Sequence, residues 1–235
     1  MRRLLIFLVI VVVLLFGADL LARSVAQREI ATKIQNTEDL SRRPKVTVHG
    51  FPFLTQALGG NYKQIDGDVS DLTVEDGLTV DQLHVELRGV QVKPGDLLSG
   101  AVVQAPVDSA VASATVGYPS LAAVAKAKIA SKALDVQFGQ GTDNRLAVTG
   151  NFTSPQLQAK INAQAKVSIR DGDLVVALDK STLTDLPSLV RGQLTSLLNT
   201  GYKLPRLPFG FTAKTVTVGP SGITVRATAS EVGLG

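Results

Sequence analysis

The chain has 235 residues, of which 45% are hydrophobic, so we expect one large or two small domains with a substantial apolar core. It has no cysteine, which excludes disulfides, thiol catalysis and most structural zinc sites. The formal net charge is +4. Basic residues are spread thinly along the chain rather than concentrated on one face, which argues against nucleic acid as a partner.

The N-terminus has the pattern of a signal peptide or a signal anchor. Two arginines precede an uncharged apolar run over 4–18, which is short for a membrane span of about 20 residues. Small residues at alternate positions up to Ala26 indicate possible cleavage after that residue. If the apolar segment instead continues past Asp19 to Ala22, it stays as an anchor with its start in the cytoplasm. Both alternatives export residues 27–235 to the cell envelope, at the outer face of the cytoplasmic membrane or in a periplasm-like space.

Three segments are predicted from these patterns. Residues 1–26 form the signal peptide or signal anchor, and residues 27–40 form an amphipathic linking helix, because Ile30 and Ile34 are spaced as on one helix face. Residues 41–235 form the main domain. From Lys45 onward the hydrophobic period changes to two, so strands dominate this part of the chain.

Alternating apolar residues predict about nine or ten strands. Asp-Gly pairs at 76–77 and 171–172, together with the segment 219–222, predict hairpin turns. A change of parity at Gly89 predicts a bulge that bends its strand. The strands are expected near residues 46–48, 65–74, 83–92, 101–107, 111–116, 134–138, 146–148, 161–169 and 174–178, and on both sides of 219–222.

Two internal helices are predicted among the strands. The first covers 120–132, with Leu121 and Val124 on its apolar face, and the second covers 186–202, with Leu194 and Leu197 in its apolar stripe. Antiparallel hairpins with two helices and no βαβ rhythm are typical of the α+β class.

The segment Phe51-Pro52-Phe53 is unusual in a chain with 8 Phe, 3 Tyr and no Trp. Gly50 permits a sharp entry and proline biases the preceding residue towards an extended backbone, so both rings are expected to project on the same side. Leu54, Ala57 and Leu58 predict a short helical turn that ends at the following glycine pair. Such a segment either gates a groove or enters a membrane interface, or it plugs one end of the core.

No catalytic or metal-binding residues are predicted. A nucleophilic hydrolase would need an activated serine beside a base, but the chain has no G-x-S-x-G and only two histidines, His49 and His84. Both alternate with apolar residues in strands, which indicates ordinary solvated side chains. The acidic cluster that begins at Asp66 lacks the glycine of a calcium loop at its sixth position, so a turn-and-edge cluster is favoured. Paired carboxylates for glycoside chemistry stay open, because their separation is a property of the folded chain.

Three segments together carry a resemblance to a known family: "HGFPFLTQALGGNYKQIDGDVSDLTV", the helix start "GYPSLAAV" and "LPRLPFGFTAKTVTVGPSGITVRA". Over nearly the whole exported part, the chain resembles the LmeA-like family of actinobacterial envelope proteins, which are described as phospholipid-binding and linked to maturation of cell-envelope lipoglycans. This resemblance implies a fold related to the tubular lipid-binding, or bactericidal/permeability-increasing-like, class. Proteins of this class have a curved antiparallel sheet that is wrapped around helices and leaves an apolar groove.

The function expected from this resemblance is binding of phospholipid, or of a related lipid-linked glycan, in the apolar groove without catalysis and without a cofactor. A structural envelope domain without bound lipid and an enzyme that processes envelope glycolipids are the alternatives. The candidate lipid contacts of residues 41–235 are ten apolar side chains: Phe51, Phe53, Leu54, Leu58, Leu121, Val124, Leu194, Leu197, Phe209 and Phe211.

Overall fold

The computed structural model describes residues 2–74, 78–92, 105–128, 133–198 and 211–234. Within these ranges it has four α-helices, one 3₁₀ turn and ten strands. In chain order they are α1 (Arg2–Thr37), β1 (Lys45–His49), α2 (Phe53–Gly59), β2 (Asn61–Thr73), β3 (Thr79–Gln91), β4 (Ala105–Gly117), α3 (Tyr118–Lys128), β5 (Leu134–Gln140), β6 (Arg145–Thr153), β7 (Gln158–Arg170), β8 (Asp173–Leu178), the 3₁₀ turn (Lys180–Leu183), α4 (Ser188–Leu198), β9 (Thr212–Gly219) and β10 (Gly222–Leu234).

The strands form two antiparallel sheets, which confirms the predicted α+β class. The first has the order β1-β2-β3-β4-β10-β9 and the second the order β5-β6-β7-β8. The predicted turn at Asp171-Gly172 is confirmed, with φ angles of 52° and 85°, as tight hairpins require. The last hairpin is also confirmed, because Gly219 pairs with Gly222. The Asp-Gly pair at 76–77 lies outside the described residues.

Gly89, where the sequence predicts a bulge, has a left-handed backbone conformation. Its φ angle is 62°, a value that glycine adopts without steric cost. A Cβ atom at this position would lie 1.9 Å from Oδ2 of Asp108. Glycine at this point of β3 therefore satisfies both the backbone conformation and the close approach of β4.

The chain divides into two compact units. Unit 1 consists of Met1–Val69, His84–Val111 and Ala229–Gly235, and unit 2 consists of Ser70–Leu83 and Ala112–Thr228. The sequence-based boundaries at 26 and 40 stay predictions; α1 runs through the first without a break and ends at Thr37, before the second.

Unit 2 has a close-packed apolar core on one face of the second sheet. In β7, Ile161, Ala163, Ala165 and Val167 are buried, and the residues between them are polar and more exposed. This alternation is expected for a sheet with one solvated face. Residues of α3, α4 and the last hairpin complete the same cluster: Ala125, Val190, Leu194, Val216, Val218 and Ile223.

Unit 1 places the long N-terminal helix beside the first sheet. The side-chain amide of Gln27, with its oxygen turned towards β1, accepts a hydrogen bond from the Val48 backbone N–H at 2.9 Å. Ala31 of α1 and Val46 and Val48 of β1 are buried. The second half of α1 is therefore an integral part of unit 1, because it covers the edge of the sheet.

Candidate lipid-binding site

The Phe-Pro-Phe segment is fixed to α1 by a buried aspartate. Asp19 is only 3% exposed. Its carboxyl oxygens accept hydrogen bonds from the backbone N–H groups of Phe53, at 2.9 Å, and Leu54, at 2.7 Å. These N–H groups belong to the first turn of α2, where no intrahelical partner exists. Asp19, in α1, therefore caps α2 although it lies 34 positions before Phe53 in the sequence.

The two phenylalanines of the segment have different environments. Phe53 is 5% exposed, and its ring centroid lies 6.4 Å from that of Tyr62. Phe51 is 59% exposed, and its ring centroid lies 5.4 Å from that of Phe16 in α1. The prediction that both rings project on the same side is wrong, because Phe53 enters the core of unit 1 and Phe51 lies along the apolar helix.

The predicted short helix after the segment is confirmed as α2, which ends at Gly60 in a left-handed conformation with φ 68°. Gln56 is buried on its inner side and accepts a hydrogen bond from the Lys63 backbone N–H at 3.0 Å. Gly50 has φ 99°, and a Cβ atom there would lie 2.7 Å from Nε2 of Gln56. Glycine at position 50 thus lets the chain turn tightly around the glutamine amide.

Two histidine–aspartate pairs mark the polar face of the first sheet. Nε2 of His49 lies 2.7 Å from Oδ2 of Asp66, and Nδ1 of His84 lies 2.7 Å from Oδ1 of Asp68. Partial burial acts to raise the pKa of Asp66, but hydrogen bonds from Gln64 and His49 outweigh it and hold the pKa below its ordinary value. The ionised Asp66 carboxylate therefore stabilises the fold fully when the pH is above the ordinary pKa of an aspartate. This contribution is lost as the pH falls through the lowered pKa of Asp66.

The opposite face of the same strands is apolar and partly exposed. Successive residues of a strand point to opposite faces, and Val48 pairs directly with Ile65 in the register of β1 and β2. The aspartate pairing of His84 places the next residue, Val85, on the same face as Ile65. Val46 and Val48 of β1 are buried, whereas four apolar side chains of β2 and β3 on this face are only half-buried: Ile65, Val69, Val85 and Leu87. We call these four residues the apolar face of unit 1.

Unit 2 has a separate cavity of about 340 Å³ beside the start of α4. Its lining combines two leucines, two hydroxyls and two cations: Leu178, Lys180, Leu183, Thr184, Arg191 and Thr195. The Arg191 guanidinium is held in place, because Nη2 donates to the backbone oxygen of Leu186 at 3.0 Å.

The predicted lipid contacts lie in both units. Four of them lie in α2 or just before it, in unit 1: Phe51 and Leu58 are exposed, Leu54 is half-buried and Phe53 is buried. In unit 2, Leu194 is fully buried in the core, Leu121 packs against that core, and Val124 and Phe211 are half-buried. Phe209 and the side chain of Leu197 lie outside the described part of the chain.

Three polar residues that the sequence analysis did not select as site residues hold or line the candidate sites. Asp19 holds α2, and Lys180 and Arg191 line the cavity of unit 2. The sequence pattern could have identified Asp19, since it is a charged residue within an otherwise apolar stretch. No sequence pattern identifies Lys180 and Arg191, because isolated cations occur throughout the chain. Among the residues that the structure describes, no group of three or more His, Cys, Asp or Glu side chains is placed to hold a metal ion.

Together these features define an α+β protein with exposed apolar surface. By length and composition α1 could cross a membrane, and an N-terminal signal sequence meets the same criterion. The family model for LmeA-like phospholipid-binding proteins matches residues 17–228, and the chain belongs to this family. Lipid binding is therefore its general function. No curated protein and no solved structure matches the chain significantly.

Proposed function

We propose that the protein binds the acyl chains of a phospholipid on the apolar face of unit 1, at the outer side of the membrane that α1 spans. The observation that carries the proposal is the partial exposure of Ile65, Val69, Val85 and Leu87 on a sheet whose other face is polar. Each buried CH₂ group contributes about 0.8 kcal/mol, so an acyl chain gains substantially from such a surface. The ligand class follows from the family, which is phospholipid-binding.

The proposed role is non-catalytic support of envelope lipid or lipoglycan maturation. A binding protein at the outer side of the membrane presents a lipid, or a glycan linked to a lipid, to other envelope components. The apolar face supplies the contact for the lipid tail that both ligands share. Loss of the protein is expected to alter the envelope lipoglycans seen on gels, whereas an unchanged lipoglycan profile would contradict this role.

Photo-crosslinking tests the location of the lipid. The full chain is reconstituted into liposomes that contain phospholipid with a diazirine in the acyl chain, and labelled peptides are mapped by mass spectrometry. We expect label in β2 and β3, on peptides that contain Ile65 and Val85. Label around Leu178 and Leu183 instead would move the site to the cavity of unit 2. Absence of label from both places would contradict lipid binding outside the membrane span.

A matched pair of variants sharpens this experiment. The double change Val85→Gln and Leu87→Gln removes apolar contact area, so lipid labelling of β2 and β3 should fall about ten-fold, which corresponds to about 1.4 kcal/mol. The control is Glu86→Gln, a polar change between the two sites on the other face of β3. Labelling of the control should equal that of the wild type, and equal losses in both variants would exclude the apolar face as the site.

The two histidines are expected to have no role in lipid binding. Each is paired with a carboxylate on the polar face, opposite the proposed lipid contacts. Changing His49 and His84 together to asparagine should therefore leave lipid labelling and complementation of a deletion strain unchanged. Lost complementation by a folded double variant with normal labelling would indicate a chemical step and favour the enzyme alternative.

A further inference from the structure

We infer that α2 and Phe51 lie in the outer interface of the lipid bilayer, as an apolar wedge that Asp19 fixes to the membrane helix. This inference rests on the proposed function only in that α1 is retained and spans the membrane. It assigns a second lipid contact, with the bilayer itself, to a part of the protein distinct from the apolar face of unit 1. The surface consists of Phe51 and Leu58, both exposed, with the ring of Phe51 against Phe16 of α1.

The depth of Phe51 follows from the geometry of α1. A helix rises about 1.5 Å per residue and a hydrocarbon core is about 30 Å thick, so a span that starts at Leu4 ends near Arg23. Phe16 then lies about 10 Å inside the outer end of the span. Because the ring centroids of Phe16 and Phe51 are 5.4 Å apart, Phe51 lies within or at the edge of the hydrocarbon region.

The hydrogen bonds of α2 fit the same location. Backbone N–H groups that face lipid have no water to bind, so they need a partner within the protein. Asp19 provides it through both carboxyl oxygens, to Phe53 and Leu54. An acidic residue within a membrane helix is costly unless its oxygens are paired. The pairing between α1 and α2 thus explains both the buried aspartate and the capped start of a short helix.

The exposed residues of α2 have the chemistry of a membrane contact. Leu58 is 78% exposed on a seven-residue helix, which is far too short to be stable alone. Aromatic and leucine side chains are the typical apolar residues of interfacial segments. Their continuity with the exposed apolar surface of α1 selects a lipid surface rather than a protein partner as the occupant.

Single-tryptophan variants test the inference, since the chain has no tryptophan of its own. The full chain is reconstituted into phosphatidylcholine vesicles with and without brominated acyl chains, which quench tryptophan on contact. Phe51→Trp is the test position, and Leu21→Trp reports whether α1 is inserted. Asn36→Trp is the control, because it is exposed on α1 about 20 Å beyond the end of the span.

We expect bromine quenching of Phe51→Trp to reach at least about half that of Leu21→Trp, and Asn36→Trp to be unquenched. Adding Asp19→Ala to Phe51→Trp should reduce the quenching, because α2 loses its attachment. Quenching of Leu21→Trp without quenching of Phe51→Trp would overturn the inference but leave the anchor in place. If Leu21→Trp is not quenched either, α1 does not span the membrane and the proposed location also fails. A Phe51→Trp side chain shielded from acrylamide but not quenched by bromine would indicate a protein partner.

Discussion

Replacing Phe53 with alanine is expected to lower the free energy of unfolding by about 3–5 kcal/mol, whereas Phe51→Ala should lower it by less than about 1 kcal/mol. The two residues are separated by a single proline, but Phe53 is 5% exposed and Phe51 is 59% exposed. Truncation of Phe53 leaves a cavity against Tyr62, while truncation of Phe51 removes a ring from the surface. Thermal and urea unfolding of the full chain in nanodiscs measures both changes.

The same pair of variants separates stability from membrane contact. Phe51→Ala should weaken the contact of α2 with the bilayer while the fold stays intact. A fluorescent label on the variant Leu58→Cys, in a chain that has no cysteine of its own, reports this contact. Equal losses of stability in Phe51→Ala and Phe53→Ala would show that both rings belong to the core, and the wedge would lose its main support.

The aromatic segment shows how far local sequence rules reach. The turn at Gly50, the short helix and its end at Gly60 depend on glycine conformation and helix termination, and all were predicted. The different environments of the two rings were not predicted. They depend on Phe16 and Asp19, and no periodic pattern indicates which distant helix packs against a given turn.

The fold shows the same limit at a larger scale. Hairpins within β7–β8 and β9–β10 were predicted, because turn residues and alternation act over a few positions. The division of the strands into two sheets was not predicted. The first sheet joins β4 to β10, where the hydroxyls of Thr115 and Thr224 lie 2.9 Å apart although they are separated by 109 positions.

Hydrophobic periodicity identified the apolar faces of the elements but not what covers them. The apolar stripe that contains Leu194 correctly marked the inner side of α4. From that stripe, Leu194 was predicted to contact lipid. The structure places Leu194 against other side chains of unit 2, while the apolar residues of β2 and β3 that form the apolar face of unit 1 stay partly exposed. A period of two or 3.6 is the same whether the apolar neighbour is protein or lipid.

Leu194→Ala is therefore expected to cost about 2–5 kcal/mol of stability, and Leu189→Ala less than about 0.5 kcal/mol. Both leucines lie on α4, but Leu194 is 0% exposed and Leu189 is 54% exposed. The loss at Leu194 follows from the cavity left among Val190, Val148 and their neighbours in the core of unit 2. Urea unfolding of the full chain and phospholipid crosslinking of the same samples give two independent readouts. A large stability loss with unchanged labelling per folded molecule makes Leu194 a core residue. Reduced labelling with normal stability would instead make it the lipid contact that its apolar stripe suggests.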